Sequence, residues 1–395
     1  MNRKTIGIFG ASMLEWGGGV DLLKNIIHAL HYDPQEYDIR LLVPVVGSDM
    51  KTKLKRTAQK LLGRHVFEGI DPEVVASFTE EYPFVTVNNF INSRNGLKTC
   101  IRENGISVLF PCAYPLGPIG IPWVGYLPDF QHKYLPEFFS REEIARRDET
   151  IGKRIEEAPA LIVTSETAKQ DILKYYPGCT KPIHVIPFSP APRRAWLEAE
   201  GDVRTKYGFA EDMKYFLISN QFWIHKDHPC AFRALARLHA QNGYQDLHIV
   251  CTGATEDYRN PDYLKELQAA NQELGIGDHV HFLGYIPKAD QILLMKHSIG
   301  VIQPTLYEGS PGGGEIEDAV SLGIPSIVSD IPVNLEIIEP TVTFFRKGDE
   351  ADLAEKMMDF SDNVHPAPSI SVLEEAGKRR QKVYHDVLYT MISTL

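Results

Sequence analysis

The stretch YEGSPGGGEIEDAVSLGIPSIVSD, Tyr307–Asp330, decides the fold, because in it a glycine-rich turn and an acidic segment join two strand-like runs. The run IGVIQPT lies before the turn, a helix is predicted from about Glu315, and the run PSIVSD closes the stretch. A strand, a helix and a second strand in this order predict a parallel βαβ unit. The turn then follows the carboxyl end of a strand, where open parallel sheets bind their ligands.

The same alternation runs through the whole chain of 395 residues. The strand-like runs are KTIGIFGA, DIRLLVPVV, SVLFPC, WVGYLPD, ALIVTSE and PIHVIPF in the first half, and KYFLISN, LHIVCTG, HVHFLG, IGVIQPT, PSIVSD and VTFFRKG in the second. Each half has enough strands for its own open sheet, and the proline-rich stretch SPAPRRAWLEAEG, Ser189–Gly201, separates the halves. The sequence therefore predicts two doubly wound α/β domains, residues 1–188 and 189–372, with a cleft between them.

Composition excludes several classes of protein. The hydrophobic fraction of 43% and the charged fraction of 24% are typical of a globular protein. A net charge of −11 argues against a nucleic-acid binder. The five cysteines are scattered without metal-ligand spacing, which favours reduced thiols. Because the N-terminus shows no signal-peptide pattern and no apolar run is long enough to span a membrane, we expect a cytoplasmic protein.

The turn itself combines two kinds of binding group. Pro311–Gly314 can present bare backbone N–H groups, and the helix that follows adds its positive N-terminal end, which together suit a diphosphate. The alternative is a plain turn in which the glycines only relieve backbone strain. The acids Glu308, Glu315, Glu317 and Asp318 would repel phosphate, but carboxylates accept hydrogen bonds from the hydroxyls of a sugar or ribose. The pattern therefore favours a nucleotide-sugar site.

At this point the sequence resembles the retaining GT-B glycosyltransferases of family 4, also called glycosyl transferases group 1. The stretch from Tyr307 looks like the signature of that family, and three other pieces agree with it. They are ISNQFWIHKDHPCAFRALARL, which places Lys226 at the phosphate-binding lysine, LPDFQHKYLPEFFS, Leu127–Ser140, which carries an acceptor-side histidine, and HVHFLGYI, which resembles the base-binding strand and turn.

The resemblance implies a fold and a reaction. The fold is GT-B, with an N-terminal acceptor domain, a C-terminal nucleotide-sugar domain and a helix over 373–395 that packs back on the N-terminal domain. The reaction is transfer of a sugar, with retention and on one face of the donor, from a UDP- or GDP-sugar to a glycan, lipid-linked or small-molecule acceptor, as in polysaccharide biosynthesis. No cofactor is implied. The chain has no Asp-x-Asp pair, so a metal clamp is not indicated.

The resemblance also implies roles for particular residues. Glu308 would contact the hydroxyls of the donor sugar, Lys226 the departing diphosphate, and His132 the acceptor side of the cleft. Asp318 would accept from the ribose, with Glu315 and Glu317 as competing candidates. The remaining donor-binding candidates are Gly18, Gly19, Asn220, Tyr285, Ile286, Ser310, Gly312, Gly313 and Gly314. The alternatives are structural: a surface acid for Glu308, a helix-terminus acid for Asp318, and for His132 a core histidine bonded to Asp129.

The sequence departs from the family pattern in two places. Nine residues separate Glu308 from Asp318, because the glycine stretch is longer. The usual arginine before the lysine is missing, and Asn220 or Gln221 stands there. Neutralisation of the diphosphate would then depend more on Lys226 and on backbone N–H groups, with His225 and His228 as further candidates.

A basic segment, KTKLKRTAQKLLGRH, Lys51–His65, has six lysines and arginines and no acid. In an acidic chain it suggests peripheral docking on anionic lipid headgroups through Lys51–Arg64. A solvated helix flank or a contact to an anionic acceptor are the alternatives. For the whole protein, a sugar-nucleotide epimerase, a glucan extender and a non-catalytic nucleotide-sugar binding protein stay open, as do the base, sugar and acceptor.

Overall fold

The computed structural model describes residues 3–47, 67–363, 365–366 and 368–395. The basic segment Lys51–His65 that suggested membrane docking lies outside the described residues. None of the described helices is long and apolar enough to cross a membrane.

The N-terminal domain is built on a sheet of seven strands in the order β3-β2-β1-β4-β5-β6-β7, and every neighbouring pair is parallel. The strands are β1 Lys4–Phe9, β2 Tyr37–Val45, β3 Thr86–Ile91, β4 Val108–Cys112, β5 Trp123–Tyr126, β6 Ala160–Val163 and β7 Ile183–Val185. The helices are α1 Gly17–Leu30, α2 Pro72–Glu81, α3 Arg94–Glu103, α4 Gln131–Tyr134, α5 Arg141–Glu157 and α6 Glu166–Tyr175.

The C-terminal domain has a parallel sheet of six strands in the order β10-β9-β8-β11-β12-β13. The strands are β8 Lys214–Ser219, β9 Leu247–Thr252, β10 Val280–Gly284, β11 Gly300–Gln303, β12 Ser326–Ser329 and β13 Val342–Phe345. The helices are α7 Arg194–Leu197, α8 His228–His239, α9 Tyr263–Glu273, α10 Lys288–His297, α11 Gly313–Leu322, α12 Glu350–Asp362 and α13 Ile370–Ser393.

Both sheets are covered on both faces, which is why their strands read as continuous apolar runs. In β1, Ile6 and Ile8 belong to one hydrophobic cluster and Phe9 belongs to another. In β8, Phe216 and Leu217 divide in the same way between two clusters. Each domain therefore has its own core on either side of its sheet.

The last helix, α13, connects the two cores. Leu373 lies in a C-terminal cluster, while Tyr384, Leu388, Met391 and Ile392 lie in an N-terminal cluster. Between Leu373 and Tyr384, Gly377 crosses the interdomain linker so closely that a Cβ there would lie 2.6 Å from Cδ of Pro192. The linker and α13 both pass from one domain to the other, and they do so next to each other.

The predicted architecture of two doubly wound domains is confirmed, but one strand was missed. Strand β3, TVNNFI, lies at the edge of its sheet, and most of its residues are only partly buried or exposed. Because an edge strand covered on one side has no continuous apolar run, this segment had no strand pattern. The helix predicted from about Glu315 begins earlier, at Gly313.

Candidate functional site

The candidate site lies where the order of strands reverses in the C-terminal sheet. Strand β8 lies between β9 and β11, so the turns after β8 and β11 flank the crevice at its carboxyl edge. The corresponding edge of the N-terminal sheet faces it. The N–H of Phe130, after β5, donates to the hydroxyl of Tyr307 at 2.8 Å, and the hydroxyl of Ser165, after β6, donates to the carbonyl of Gly309 at 3.1 Å. The predicted donor turn therefore lies between the domains.

Lys226 and Glu308 form a buried ion pair in this crevice. Lys226 follows β8, Glu308 follows β11, and the ammonium donates directly to Oε1 of the carboxylate. The lysine residue is only 6% exposed and the side chain of Glu308 only 12%. A Cβ on Gly313, at the N-terminus of α11, would lie 3.7 Å from Oε2 of Glu308. The structure thus brings together a cation, a carboxylate and a helix N-terminus.

The turn that carries Lys226 has an uncommon backbone. Asp227 has φ +47°, in the left-handed region that residues with a side chain rarely adopt. His225 and His228, on either side, are buried, and burial together with the charge of Lys226 lowers their pKa values to about 2 and about 3. Both rings are therefore neutral at pH 7 and do not add the positive charge that was considered for them.

Glu315 is held by the residue that replaces the expected arginine. Asn220 Nδ2 donates to Oε2 of Glu315 at 2.9 Å and to Oε1 of Gln303 at 2.6 Å, and the N–H of Ser219 donates to Oε1 of Glu315. Burial raises the pKa of Glu315 to about 8, although the hydrogen bond from Ser219 opposes the shift. Both of its oxygens already accept from the protein, so Glu315 acts as a fixed support beneath the turn.

The other two candidate acids face different partners. Asp318 forms an ion pair with Lys288 at the start of α10. Burial raises the pKa of Asp318, and the charge of Lys288 opposes that shift. Glu317 accepts from Nδ2 of Asn25 in the N-terminal domain at 3.1 Å, and burial followed by repulsion from Asp318 raises its pKa to about 7. Asp318 is thus the candidate that stays within the C-terminal domain and keeps a cation beside it.

The glycines of the turn have separate reasons to be glycine. Gly312 and Gly313 have φ values of +63° and +66°, and the N–H of Gly312 donates to Oδ1 of Asn334 at 2.9 Å. Gly314 has φ outside that region, and a Cβ there would touch nothing within 4 Å. Two of the glycines therefore serve the turn itself, and the third leaves open space beside the first turn of α11. Ser310 closes the turn, since its carbonyl accepts from the N–H of Gly313 at 3.4 Å.

In the N-terminal domain, α1 starts in the predicted glycine stretch at Gly17 and has no side-chain cap. A Cβ on Gly18 would lie 2.3 Å from the ring of Trp16, and one on Gly19 would lie 2.2 Å from the carbonyl oxygen of Met13. These two glycines allow the chain to pack on itself just before the helix. Their predicted contact with the donor stays a prediction.

His132 is buried, with only 1% of its surface exposed. Its Nε2 lies 2.9 Å from Oδ1 of Asp148 in α5, and Lys133 donates to the other oxygen of the same carboxylate at 2.7 Å. These two hydrogen bonds lower the pKa of Asp148, although burial acts to raise it. The acid beside the ring is thus Asp148 and not the Asp129 considered from the sequence. A role at the acceptor side stays a prediction.

The predicted base-binding residues lie at the end of β10. Gly284 has φ +67°, and its carbonyl accepts from the N–H of Gly253 at 2.8 Å. Tyr285 is 86% exposed, whereas Ile286 is buried. The turn thus presents one free aromatic face beside a buried aliphatic side chain.

Sequence reasoning missed two residues of this site, Gln303 and Lys288. Gln303 is fully buried at the end of β11, and its Nε2 donates to the carbonyl of Gly312 at 3.0 Å. A lone amide that ends an apolar strand next to a glycine turn was a usable signal. Lys288 had no such signal, because it pairs with a residue 30 positions later in the sequence, on another helix. Among the described residues, no group of three or more histidine, cysteine, aspartate and glutamate side chains is arranged to hold a metal ion.

Comparison with known families agrees with this geometry. Residues 200–380 match the family described as Glycosyl transferases group 1. The chain carries a group 1 glycosyltransferase domain. The match includes Lys226, Glu308 and all three candidate acids of α11, and it confirms the prediction that the protein is a glycosyltransferase. A search of curated proteins by sequence finds no match to the chain.

Solved structures with similar folds cover nearly the whole glycosyltransferase chain. Sucrose-phosphate synthase from Thermosynechococcus elongatus has a TM-score of 0.64 at 15% identity, covering 99% of this chain and 98% of that one. Anabaena Alr3699/HepE in complex with UDP has a TM-score of 0.63 at 14% identity, covering 99% and 100%. A glycosyltransferase from Rickettsia africae ESF-5 has a TM-score of 0.56 at 14% identity, covering 99% and 94%. The predicted GT-B fold is thereby confirmed.

Proposed function

We propose that the protein is a retaining glycosyltransferase that moves a sugar from a nucleotide-diphosphate sugar to a glycan, lipid-linked or small-molecule acceptor without a metal ion. The observation that carries the proposal is the buried Lys226–Glu308 ion pair at the N-terminus of α11. Charge builds on the diphosphate as the glycosidic bond breaks, so a fixed cation and a helix N-terminus lower the barrier to transfer.

The ion pair explains how one small site serves both halves of the donor. Without a donor, each of the two charges compensates the other, as a buried charge requires. A diphosphate that binds beside Lys226 competes for the ammonium, and Glu308 then becomes available to the hydroxyls of the sugar. The donor would therefore be recognised by its two chemically different parts through two residues already in contact.

The transfer would take place on one face of the donor sugar. Glu308 holds sugar hydroxyls near the reacting carbon, Lys226 holds the departing diphosphate, and an oxygen of the donor phosphate assists removal of the acceptor proton. This arrangement needs no covalent intermediate. A UDP-sugar donor is favoured, because the similar Anabaena structures are described as complexes with UDP and with UDP-glucose.

Calorimetric titration with UDP, GDP and ADP, without added metal and with a chelator present, tests the donor site. We expect one diphosphate to bind selectively and Lys226→Ala to weaken it roughly tenfold or more, since a hydrogen bond between charged groups is lost. Lys265→Ala is the matched control, because the side chain of Lys265 is 80% exposed on the same domain. Binding that is equally strong in Lys226→Ala, or a strict requirement for a divalent metal, would contradict the proposal.

The stereochemistry needs its own measurement. Once a diphosphate has been identified, the matching nucleotide sugars can be incubated with acceptors and the product examined by NMR before its anomers equilibrate. We expect the anomeric configuration of the donor to be kept. A product of inverted configuration would exclude the proposed one-face mechanism even if the diphosphate site were correct.

A further inference from the structure

A second pocket, of about 560 Å³, opens between the two domains on the other side of the turn that carries Glu308. Lys226 approaches that turn from β8, on one side of β11, whereas this pocket is lined by Pro332 and Glu336 from the segment after β12, on the opposite side. Its other wall is α6 of the N-terminal domain together with Tyr134 from α4. It shares none of its lining residues with the proposed donor site.

Asp171 is a buried group in this pocket with unused hydrogen-bonding capacity. It is 2% exposed, and its Oδ1 accepts from the hydroxyl of Tyr134 at 2.5 Å. Its Oδ2 is also buried and has no hydrogen-bond partner within the described part of the chain. Buried polar atoms are almost always paired, so an unpaired carboxylate oxygen in the wall of a pocket indicates a missing partner.

The rest of the lining indicates what that partner is. Tyr134 is 44% exposed, and Nζ of Lys174 lies 5.4 Å from the centre of its ring. Glu336 adds a second carboxylate, whose oxygens also accept from the N–H groups of Glu166 and Thr167, and Gln170 adds an exposed amide. A ligand for this wall must donate to carboxylates, accept from an ammonium or amide, and place an apolar face on a tyrosine. A sugar ring does all three, because each hydroxyl both donates and accepts.

We propose that this pocket binds a sugar unit of a saccharide acceptor. The assignment as acceptor rests on the proposed function, whereas the binding of a saccharide does not. The position supports the connection, since the ring of Tyr134 lies 5.4 Å from the ring of Tyr307, the residue before Glu308. A saccharide seated on Tyr134 would extend past Tyr307 towards the reacting sugar. The pocket thus favours an acceptor of several sugar units.

Ligand-observed NMR titration of the full chain with maltotriose, cellotriose and N-acetylchitotriose tests the pocket. We expect at least one of these trisaccharides to bind. Gln170→Trp places a bulky side chain on the exposed surface of α6 within the pocket and should weaken binding roughly tenfold or more, since several hydrogen bonds are lost. Arg102→Trp, on the exposed surface of α3, is the matched control and should bind as the unmodified protein does.

Asp171→Ala tests the chemistry of the pocket, and circular dichroism shows whether that variant stays folded. We expect Asp171→Ala to weaken the binding of the trisaccharide in the same way, whereas Lys226→Ala should leave saccharide binding intact. If no diphosphate binds but a trisaccharide still does, the pocket remains a saccharide site and its assignment as an acceptor site is removed. If none of the trisaccharides binds, if Gln170→Trp binds them unchanged, or if the polyamine spermidine binds in their place, the proposal is overturned.

Discussion

At the scale of single residues, the Lys226–Glu308 pair predicts a separation of binding from turnover. In Glu308→Gln the ammonium loses its anionic partner, so a diphosphate no longer competes with a carboxylate for it. We expect the variant to bind the diphosphate at least as tightly as the unmodified protein. Sugar transfer should fall roughly a hundredfold or more, because a group that acts on the transition state is altered.

For Glu308→Gln, calorimetry with the selected diphosphate measures binding. Release of diphosphate from the nucleotide sugar measures turnover. Glu355→Gln, at an exposed position of α12, is the control for the loss of one acidic charge. A variant that loses diphosphate binding and turnover together would show that Glu308 supports the fold of the turn and does not act on the sugar.

Glu317 predicts a dependence of stability on pH. Its pKa is raised to about 7 in the fold, from a usual value near 4.5. The folded protein therefore holds the proton more tightly than the unfolded chain, and this contribution is present below about pH 4.5 and is lost as the pH rises through 7. As the pH rises from 5 to 7.5, we expect the free energy of unfolding of the unmodified protein to fall by roughly 1–3 kcal/mol more than that of Glu317→Gln. Urea unfolding at the two pH values measures the difference, and parallel losses would show that Glu317 ionises normally.

At the scale of secondary-structure elements, four histidines gather at the edge of the C-terminal sheet. His248 in β9 lies 3.1 Å from His281 in β10, measured from Nδ1 to Nε2, and the rings of His239 and His279 pack beside them. Burial, followed by repulsion from His281, lowers the pKa of His248 to about 4, and Asp246 opposes the shift only weakly. Burial lowers the pKa values of His239 and His281 too. The folded state therefore favours the neutral forms of His239, His248 and His281.

The sign of the pH effect follows from the direction of these shifts. A depressed pKa means that the folded state binds the proton less well, so the contribution is present above pH 6.5 and is lost as the pH falls towards 4. As the pH falls from 7 to 5, we expect the free energy of unfolding of the unmodified protein to fall by roughly 1–2 kcal/mol more than that of His248→Phe. Urea unfolding followed by far-UV circular dichroism measures it. An unchanged acid sensitivity would mean that other groups cause the loss.

The elements were predictable from the sequence to the extent that burial leaves a pattern in it. Strands covered on both faces, such as β4 and β6, are buried along their whole length and gave clear apolar runs. The edge strand β3 gave none. The start of α11 was placed too late, because its first two residues are glycines, which weaken any helical pattern. The close approach of Gly377 to Pro192 could not be predicted, because packing between segments distant in sequence has no local signature.

The site could be predicted only where one residue type was tied to one short motif. Lys226 and Glu308 were proposed in this way, and the structure places them in contact, while their roles in the reaction stay predictions. The identity of the second acid was left open, because Glu315, Glu317 and Asp318 follow one another on two turns of one helix. Their partners come from the end of β8 and the residue after it, from α1 and from α10, so only the packing of distant elements distinguishes them.

At the scale of the whole molecule, α13 links the two domains, because it packs against both of them. Arg380 pairs with both oxygens of Glu339 in the C-terminal domain at 2.8 and 2.6 Å, and Leu388 is fully buried in the N-terminal core. We expect Leu388→Ala to destabilise the protein by roughly 2–5 kcal/mol through the cavity it leaves. Thermal unfolding measures this, with Val383→Ala at a 53% exposed position of the same helix as the control. Equal losses would mean that α13 is held by its polar contacts alone.

Away from α13, Glu336 ties the domains together on the far side of the cleft. Its carboxylate accepts from the N–H groups of Glu166 and Thr167 at 2.9 and 2.8 Å, at the N-terminus of α6, where the helix favours an anion. The helix keeps a cap of its own, since the hydroxyl of Ser165 accepts from the N–H of Ala168 at 3.0 Å. Loss of Glu336 should therefore loosen the domain interface without unfolding α6.

We expect Glu336→Ala to shift the protein towards a more open arrangement of its domains, because interfaces between domains of one chain are small and polar, and few such contacts hold them closed. Small-angle X-ray scattering without donor should show a larger radius of gyration than for the unmodified protein or for Glu355→Ala. Saturation with the selected diphosphate should reduce the difference if the ligand also contacts Gly18 and Gly19 as predicted, since a ligand that contacts both domains favours the closed form. A radius of gyration that is unchanged, with α6 still protected in hydrogen exchange, would show that Tyr307, Gly309 and α13 suffice to hold the cleft closed.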